Sequence, residues 1–166
     1  MTIFLCGFMG CGKSTIGKAL AEMLCMPLID TDDEIVKQES MSIPQIFAEK
    51  GEPYFRTVEA ETVQKLCDKN AVVSCGGGAM LNPETAAAAR EKDAHIILID
   101  QTFEICYDRI KDDKNRPIVQ RSTMEQLQKI FDDRAAVYRR QSTLTVSPAD
   151  TPEETAARIK KLLNLM

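Results

Sequence analysis

The stretch GFMGCGKS, Gly7 to Ser14, decides how the rest of the chain is read. It matches G-x-x-x-x-G-K-[ST] at every fixed position. An apolar run, TIFLC (Thr2 to Cys6), leads into it, and a helical pattern follows in which Ile16, Leu20, Met23 and Leu24 share one face. Strand, glycine-rich turn and helix in that order make a nest for phosphate. Gly7, Gly10 and Gly12 let the backbone curl its N–H groups around phosphate oxygens, and the positive end of the helix dipole faces the same anion. Lys13 adds a full charge near the β- and γ-phosphates, and the Ser14 hydroxyl is placed to bind Mg²⁺. The expected nucleotide contacts in this loop are therefore Gly10, Cys11, Gly12, Lys13, Ser14 and Thr15.

Outward from this loop, short apolar runs alternate with longer amphipathic ones. The runs PLID (Pro27 to Asp30), AVVS (Ala71 to Ser74), HIILI (His95 to Ile99) and TLTV (Thr143 to Val146) read as strands beside TIFLC. Helical patterns follow Thr123 and run from Thr151 to near Leu163. Such alternation predicts an α/β fold with a parallel sheet and helices on both faces. Two stretches break the rhythm. Residues 31–66 contain no convincing strand and read as a helical insertion beside the sheet. KDDKNRPIVQR, Lys111 to Arg121, is charged and weakly periodic, and reads as a loop between two helices, a candidate mobile lid spanning 111–123.

Composition narrows the classes. The 166 residues are 44% hydrophobic, enough for one well-buried core, so a single domain over 1–166 is expected. A net charge of −4 gives no electrostatic case for nucleic acid or an anionic membrane. The six cysteines form no C-x-x-C pair, and the lone His95 cannot complete a zinc cluster. Reduced cysteines in apolar runs point to the cytosol. The N-terminus lacks a basic leading segment and reads as a strand and loop, not a signal peptide. No apolar run nears the ~18 residues of a membrane helix.

Magnesium needs a carboxylate as well, and two strands end in LID, at Asp30 and at Asp100. Position alone does not choose between them. Asp30 heads the cluster DTDD with Asp32 and Asp33. Asp100 stands before a helix that Thr102 caps, which suits simple charge complementarity with that helix. Thr31-x-x-Glu34 reads as a capping box, which would make Asp32 or Asp33 structural. A carboxylate at the ligand edge of an α/β sheet remains the better candidate for chemistry.

Three other features ask for an acceptor. Gly76, Gly77 and Gly78 follow the AVVS strand, and a bare backbone there implies close approach of something. Arg56 is followed one turn later by Glu59, which would hold its guanidinium. Arg134 falls at helical spacing among Leu127, Ile130, Phe131, Val137 and Tyr138, and a guanidinium on that face needs an anion, either a protein carboxylate or a ligand. Two arginines and a bare turn suit a small carboxylate. No N-K-x-D segment for guanine occurs, which argues against a GTP switch and leaves a small phosphotransferase.

Taken together these motifs resemble the shikimate kinases, within the nucleoside monophosphate kinase-like group of P-loop folds, over nearly the whole chain. GFMGCGKS resembles the family's loop, DTD at Asp30 to Asp32 its D-x-D, and FR at Phe55 and Arg56 with Glu59 its F-R-x-x-E. Gly76 to Gly78 resemble its glycine triplet, Arg116 and Pro117 its lid motif, and RAAVY, Arg134 to Tyr138, its R-x-P-L-Y. The resemblance implies a three-layer P-loop kinase fold with a five-stranded parallel sheet, a substrate-binding helical insertion and a mobile lid. It implies transfer of the ATP γ-phosphoryl group to the 3-hydroxyl of shikimate, giving shikimate 3-phosphate and ADP on the route to chorismate and aromatic amino acids. By the same resemblance, Asp30 acts with Ser14 on the Mg²⁺ side and Asp32 orients the acceptor hydroxyl or takes its proton. Arg56 and Arg134 clamp the carboxylate, and Gly76, Gly77 and Gly78 lie along the ring. Arg116 reaches from the lid to the phosphates, and Arg109 lies near adenine, as does the loop after Val146. A cytoplasmic monomer is expected.

The chain departs from the family in places. Ala136 and Val137 replace the family's proline and leucine, and SPADTPEE after Val146 lacks an arginine that some relatives carry. Ser74 stands where many P-loop proteins place an aspartate, a replacement the shikimate kinases share. The competing readings are a gluconate or nucleoside monophosphate kinase of the same fold, and a nucleotide-binding module without activity.

Overall fold

The computed structural model describes residues 1–165. Five strands form one parallel sheet: β1 (Ile3–Cys6), β2 (Leu28–Asp30), β3 (Val72–Ser74), β4 (His95–Ile99) and β5 (Leu144–Val146), in the spatial order β2-β3-β1-β4-β5. Every strand read from the sequence is present, though all but β4 begin one residue later than expected. Those preceding residues still close the ends of the ladder, as when Val72 N–H donates to the Pro27 carbonyl at 2.9 Å.

The period of two along a strand builds the layers. In β1, Ile3 and Leu5 face one apolar layer, which includes Ile16 and Leu20 of α1 (Lys13–Leu24) and Ala156 and Ile159 of α9 (Pro152–Leu162). Phe4 and Cys6 face the other, with Val63 and Leu66 of α4 (Glu52–Leu66), Ala86 and Ala89 of α5 (Pro83–Glu91), and Tyr138 of α8 (Met124–Gln141). Helix, sheet and helix thus stack in three layers, with β1 buried throughout.

Residues 31–66 are helical, as expected: α2 (Thr31–Glu39), α3 (Ile43–Lys50) and α4. They own a small separate core of Ile35, Ile46, Phe55 and Val58. Beyond β4 come α6 (Phe103–Ile110) and α7 (Pro117–Arg121). The latter corrects the reading of 111–121 as loop alone. Pro117 enters at the first helical turn, where its missing N–H costs nothing, and buried Val119 anchors the segment. The helix after Thr123 starts with a capping box of Thr123 and Gln126, and Thr151 caps α9 through Glu154 N–H.

The strand order reverses at β1, since β3 lies on one side of it and β4 on the other. In open α/β sheets the crevice beyond the strand ends at such a point is where ligands bind.

Candidate active site

That crevice is here a cleft of about 770 Å³. Its floor is the loop from β1 to α1. Gly10 and Gly12 have φ of 80° and 101°, in the left-handed region that glycine adopts without strain. Gly10 is also required for space. A Cβ there would stand 2.8 Å from the Cys106 carbonyl oxygen and 2.9 Å from Ile110 Cγ2, so the loop lies directly on α6. Helix α1 starts with no side-chain cap, as α4, α6 and α7 also do, and its first turn lines the cleft. Its first N–H groups are left for an anion, as phosphate binding requires. Lys13 Nζ donates to the carbonyls of Gly7 at 2.8 Å and Phe8 at 3.2 Å, holding the ammonium at the loop. Arg109, which also lines the cleft, donates from Nη1 to the Gly10 carbonyl at 2.9 Å.

Asp30 ends β2 and caps α2. Its Oδ1 accepts from Asp32 N–H at 2.9 Å and Asp33 N–H at 3.2 Å. This overturns the Thr31–Glu34 capping box. Thr31 is itself the first helical residue, and its hydroxyl oxygen accepts instead from Gly76 N–H at 2.8 Å. Asp100 is resolved as well. It receives Arg139 Nη2 at 3.0 Å, and Thr102 makes no capping bond, so an ion pair and not helix charge complementarity occupies that carboxylate. Asp30 and Ser14 both line the cleft. Among the described residues no cluster of three or more His, Cys, Asp or Glu could hold a metal. The Ser14 hydroxyl and the Asp30 carboxylate are oxygen donors that fit a hard ion which takes few protein ligands and completes its shell with phosphate and water, as Mg²⁺ does.

Asp32, Arg56, Arg134 and the glycine turn line the same cleft. Arg56 Nη1 donates to Glu59 Oε1 at 2.8 Å, and Arg56 Nη2 approaches Glu52 Oε1 at 3.4 Å, so Glu59 does hold this guanidinium. The Glu59 side chain is only 4% exposed, and burial pushes its carboxyl above the usual range despite the pairing. Arg134 differs. Among the described residues it forms no ion pair, and of the two anions open to it a protein carboxylate is not supplied. Burial raises the proton affinity of Asp32, as do neighbouring Asp30 and Asp33, against the opposing pull of Arg56 and Lys13.

The glycine turn has a physical reason that the sequence did not supply. None of Gly76, Gly77 and Gly78 adopts positive φ. Gly76 and Gly78 are bare because the protein's own site groups press on them. A Cβ on Gly76 would stand 2.6 Å from Asp32 Oδ1, and one on Gly78 would overlap the Arg56 guanidinium. At Gly77 the nearest atom is Arg134 Nη1, at 3.5 Å. The expectation that an acceptor ring explains the glycines is corrected to this extent. What Gly76 and Gly78 first make room for is an aspartate and an arginine, while a Cβ on Gly77 would meet Arg134 at ordinary contact distance.

Arg116 also faces the cleft, paired with Asp113 at 3.0 Å at the start of α7. Pro148, Ala149 and Thr151, from the loop after β5, line it too. Five of the cysteines are buried and Cys25 alone is exposed. Burial pushes the thiols of Cys6 and Cys106 up to about 12, which leaves them inert. No helix among the described residues is long and apolar enough to cross a membrane.

A nucleotide loop and a carboxylate with two guanidiniums on one cleft define a small-molecule phosphotransferase of the P-loop class. The sequence profile of the shikimate kinase family matches residues 9–164. A shikimate kinase of Aquifex aeolicus is 39% identical over 160 residues, covering 96% of this chain and 94% of the relative. The structure of a shikimate kinase from Acinetobacter baumannii in complex with shikimate superposes with a TM-score of 0.89 at 30% identity, over 98% of this chain and 92% of that one. A gluconokinase from Sinorhizobium meliloti reaches a TM-score of 0.55 at 20% identity over 98% of this chain and 95% of that one, a likeness of fold alone. The chain belongs to the shikimate kinase family.

Proposed function

We propose that Lys13, Asp32 and Arg116 carry the chemistry of a shikimate kinase, with Arg56, Arg134 and Gly76 to Gly78 holding the acceptor. The protein is an enzyme of that activity, transferring the γ-phosphoryl group of ATP to shikimate and using Mg²⁺. The observation that carries the assignment of residues is the convergence of both half-sites on one cleft, with Arg134 free of any protein carboxylate among the described residues.

Each residue has a task set by its surroundings. The uncapped N–H groups of α1, with Gly10, Cys11, Gly12 and Thr15 forming the loop, bind the phosphates, and Lys13 brings a full charge to the transferring group. Ser14 and Asp30 would hold magnesium, which when bound offsets charge on the phosphate oxygens. Asp32 orients the acceptor hydroxyl and takes its proton, for which a carboxylate of raised proton affinity is better suited than an ordinary one. Arg134 meets the acceptor's carboxylate with an undivided charge, while Arg56, already shared with Glu59, adds direction more than charge. Arg109 and the loop after β5 border adenine. Residues 31–66, with their own small core, form the substrate-binding unit of a single domain expected over 1–166, of which Met166 lies outside the described residues. Residues 111–123 form the lid, whose closure brings Arg116 to the phosphates and keeps water from competing as acceptor. The enzyme works as a cytoplasmic monomer.

The test is ADP release in a coupled assay with shikimate present and absent, beside gluconate, AMP and CMP. Release that depends on shikimate and on none of the others is expected. Turnover with gluconate or a nucleoside monophosphate instead would transfer the acceptor site to another substrate class.

A further inference from the structure

Two buried hydroxyls that do not line the cleft grip its glycine turn from two different helices. Gly76 N–H donates to Thr31 Oγ1 at 2.8 Å, and the Tyr138 hydroxyl donates to the Gly77 carbonyl at 2.5 Å. Thr31 is fully buried and Tyr138 is 2% exposed. Each belongs to an element that also presents a site residue. Thr31 precedes Asp32 on α2, and Tyr138 follows Arg134 by one turn of α8, on the same face.

The turn needs such a grip. A run of glycines is the segment whose backbone has the most freedom to lose. Its other backbone bonds, Ala79 N–H to Gly76 O at 3.2 Å and Leu81 N–H to Gly78 O at 3.1 Å, are local and move with the turn. Thr31 and Tyr138 tie it to α2 and α8. The Tyr138 bond also sets a direction. The peptide joining Gly77 to Gly78 is planar and trans, so a carbonyl held towards the buried ring turns the Gly78 N–H away from it. Arg134 and Tyr138 therefore meet one glycine from one helix, the first through its guanidinium near Gly77 and the second through that residue's carbonyl.

We infer that Thr31 and Tyr138 are positioning residues of the acceptor site, fixing the glycine turn relative to Asp32 and Arg134. The inference rests on the reading that Asp32 and Arg134 hold the acceptor. Neither hydroxyl touches substrate. Without the Tyr138 hydroxyl the Gly77 carbonyl loses its donor, and the turn can re-aim by the fraction of an ångström that a bound acid would register.

The experiment measures KM for shikimate, KM for ATP, kcat and Tm for Tyr138→Phe, Thr31→Val and Thr31→Ser, with Arg134→Ala alongside. Tyr138→Phe and Thr31→Val are each expected to raise the KM for shikimate about tenfold, the scale of one hydrogen bond, with the KM for ATP within about twofold. Thr31→Ser keeps the hydroxyl and is expected to recover the wild-type value. A lowered Tm with both KM values moving together, or with neither moving, overturns the inference. Should Tyr138→Phe fail to fold, the Val and Ser pair at Thr31 decides. A sensitive Arg134→Ala beside insensitive Tyr138→Phe and Thr31→Val overturns the inference alone. An Arg134→Ala enzyme with unchanged KM for shikimate overturns the acceptor-site reading and the inference with it.

Discussion

Asp32 and Gly76 are matched to each other: the carboxylate occupies the space where a side chain at 76 would begin, and a Cβ there would come within 2.6 Å of Oδ1. Gly76→Ala is therefore expected to displace Asp32. A shift near 1 Å in a reacting group can reduce turnover by about 100-fold. We expect that loss in kcat/KM for shikimate, with ATP affinity within about twofold, by steady-state kinetics and nucleotide titration. Equal loss of both substrates would mean the change reaches the phosphate loop.

Lys13→Ala removes the charge held at the loop by the Gly7 and Phe8 carbonyls. One transition-state donor commonly accounts for ~3 kcal/mol, so kcat should fall by roughly 100-fold. Near-normal turnover would refute the assigned role.

Asp32→Asn is expected to abolish transfer while ATP still binds. It also has a stability signature with a definite sign. The folded protein raises the Asp32 pKa, chiefly by burial and then by Asp30 and Asp33. The protonated form is therefore favoured by folding, and that stability is complete below the unfolded value, about 3.9, and lost as pH rises through the folded one. Asparagine stays neutral at every pH and keeps it. Thermal melts should show the variant with the higher Tm at pH 7 and the two proteins converging towards pH 4. A lower Tm at pH 7 would mean the carboxylate is held by favourable contacts instead.

Ser40 ends α2 with φ of 53°, a left-handed conformation that a side chain with a Cβ disfavours. Ser40→Gly relieves about 1–2 kcal/mol of this strain and costs about 0.5–1 kcal/mol in unfolded-state entropy, for a net gain of about 0.5–1 kcal/mol. Urea denaturation should show a higher midpoint with unchanged slope.

The sheet and the phosphate loop were legible because their signals are local. The apolar run of β1, a complete motif and the helical spacing after it each lie within a few residues. What the sequence withheld depends on partners far apart in the chain. Thr31 looks like a helix cap until folding brings Gly76, 45 residues away, to its hydroxyl. Asp100 looks like a helix-terminal charge until Arg139 arrives from α8. The glycine triplet announced close approach but could not say of what, since Asp32, Arg56 and Arg134 converge on it from three helices. Tyr138 was visible four residues beyond Arg134, yet its hydroxyl could be assigned a partner only once Gly77 was beside it. The stretch around Pro117 read as a charged loop, and only the anchoring of Val119 shows that a short helix begins there.

The exposure of a single thiol has a practical outcome. Cys25 closes α1 at the end opposite the phosphate loop, about 18 Å along the helix, while every other sulfhydryl is shielded. A maleimide dye should attach there and nowhere else, giving an optical reporter anchored to the scaffold against which movement of a second fluorophore placed on the 111–123 segment could be timed.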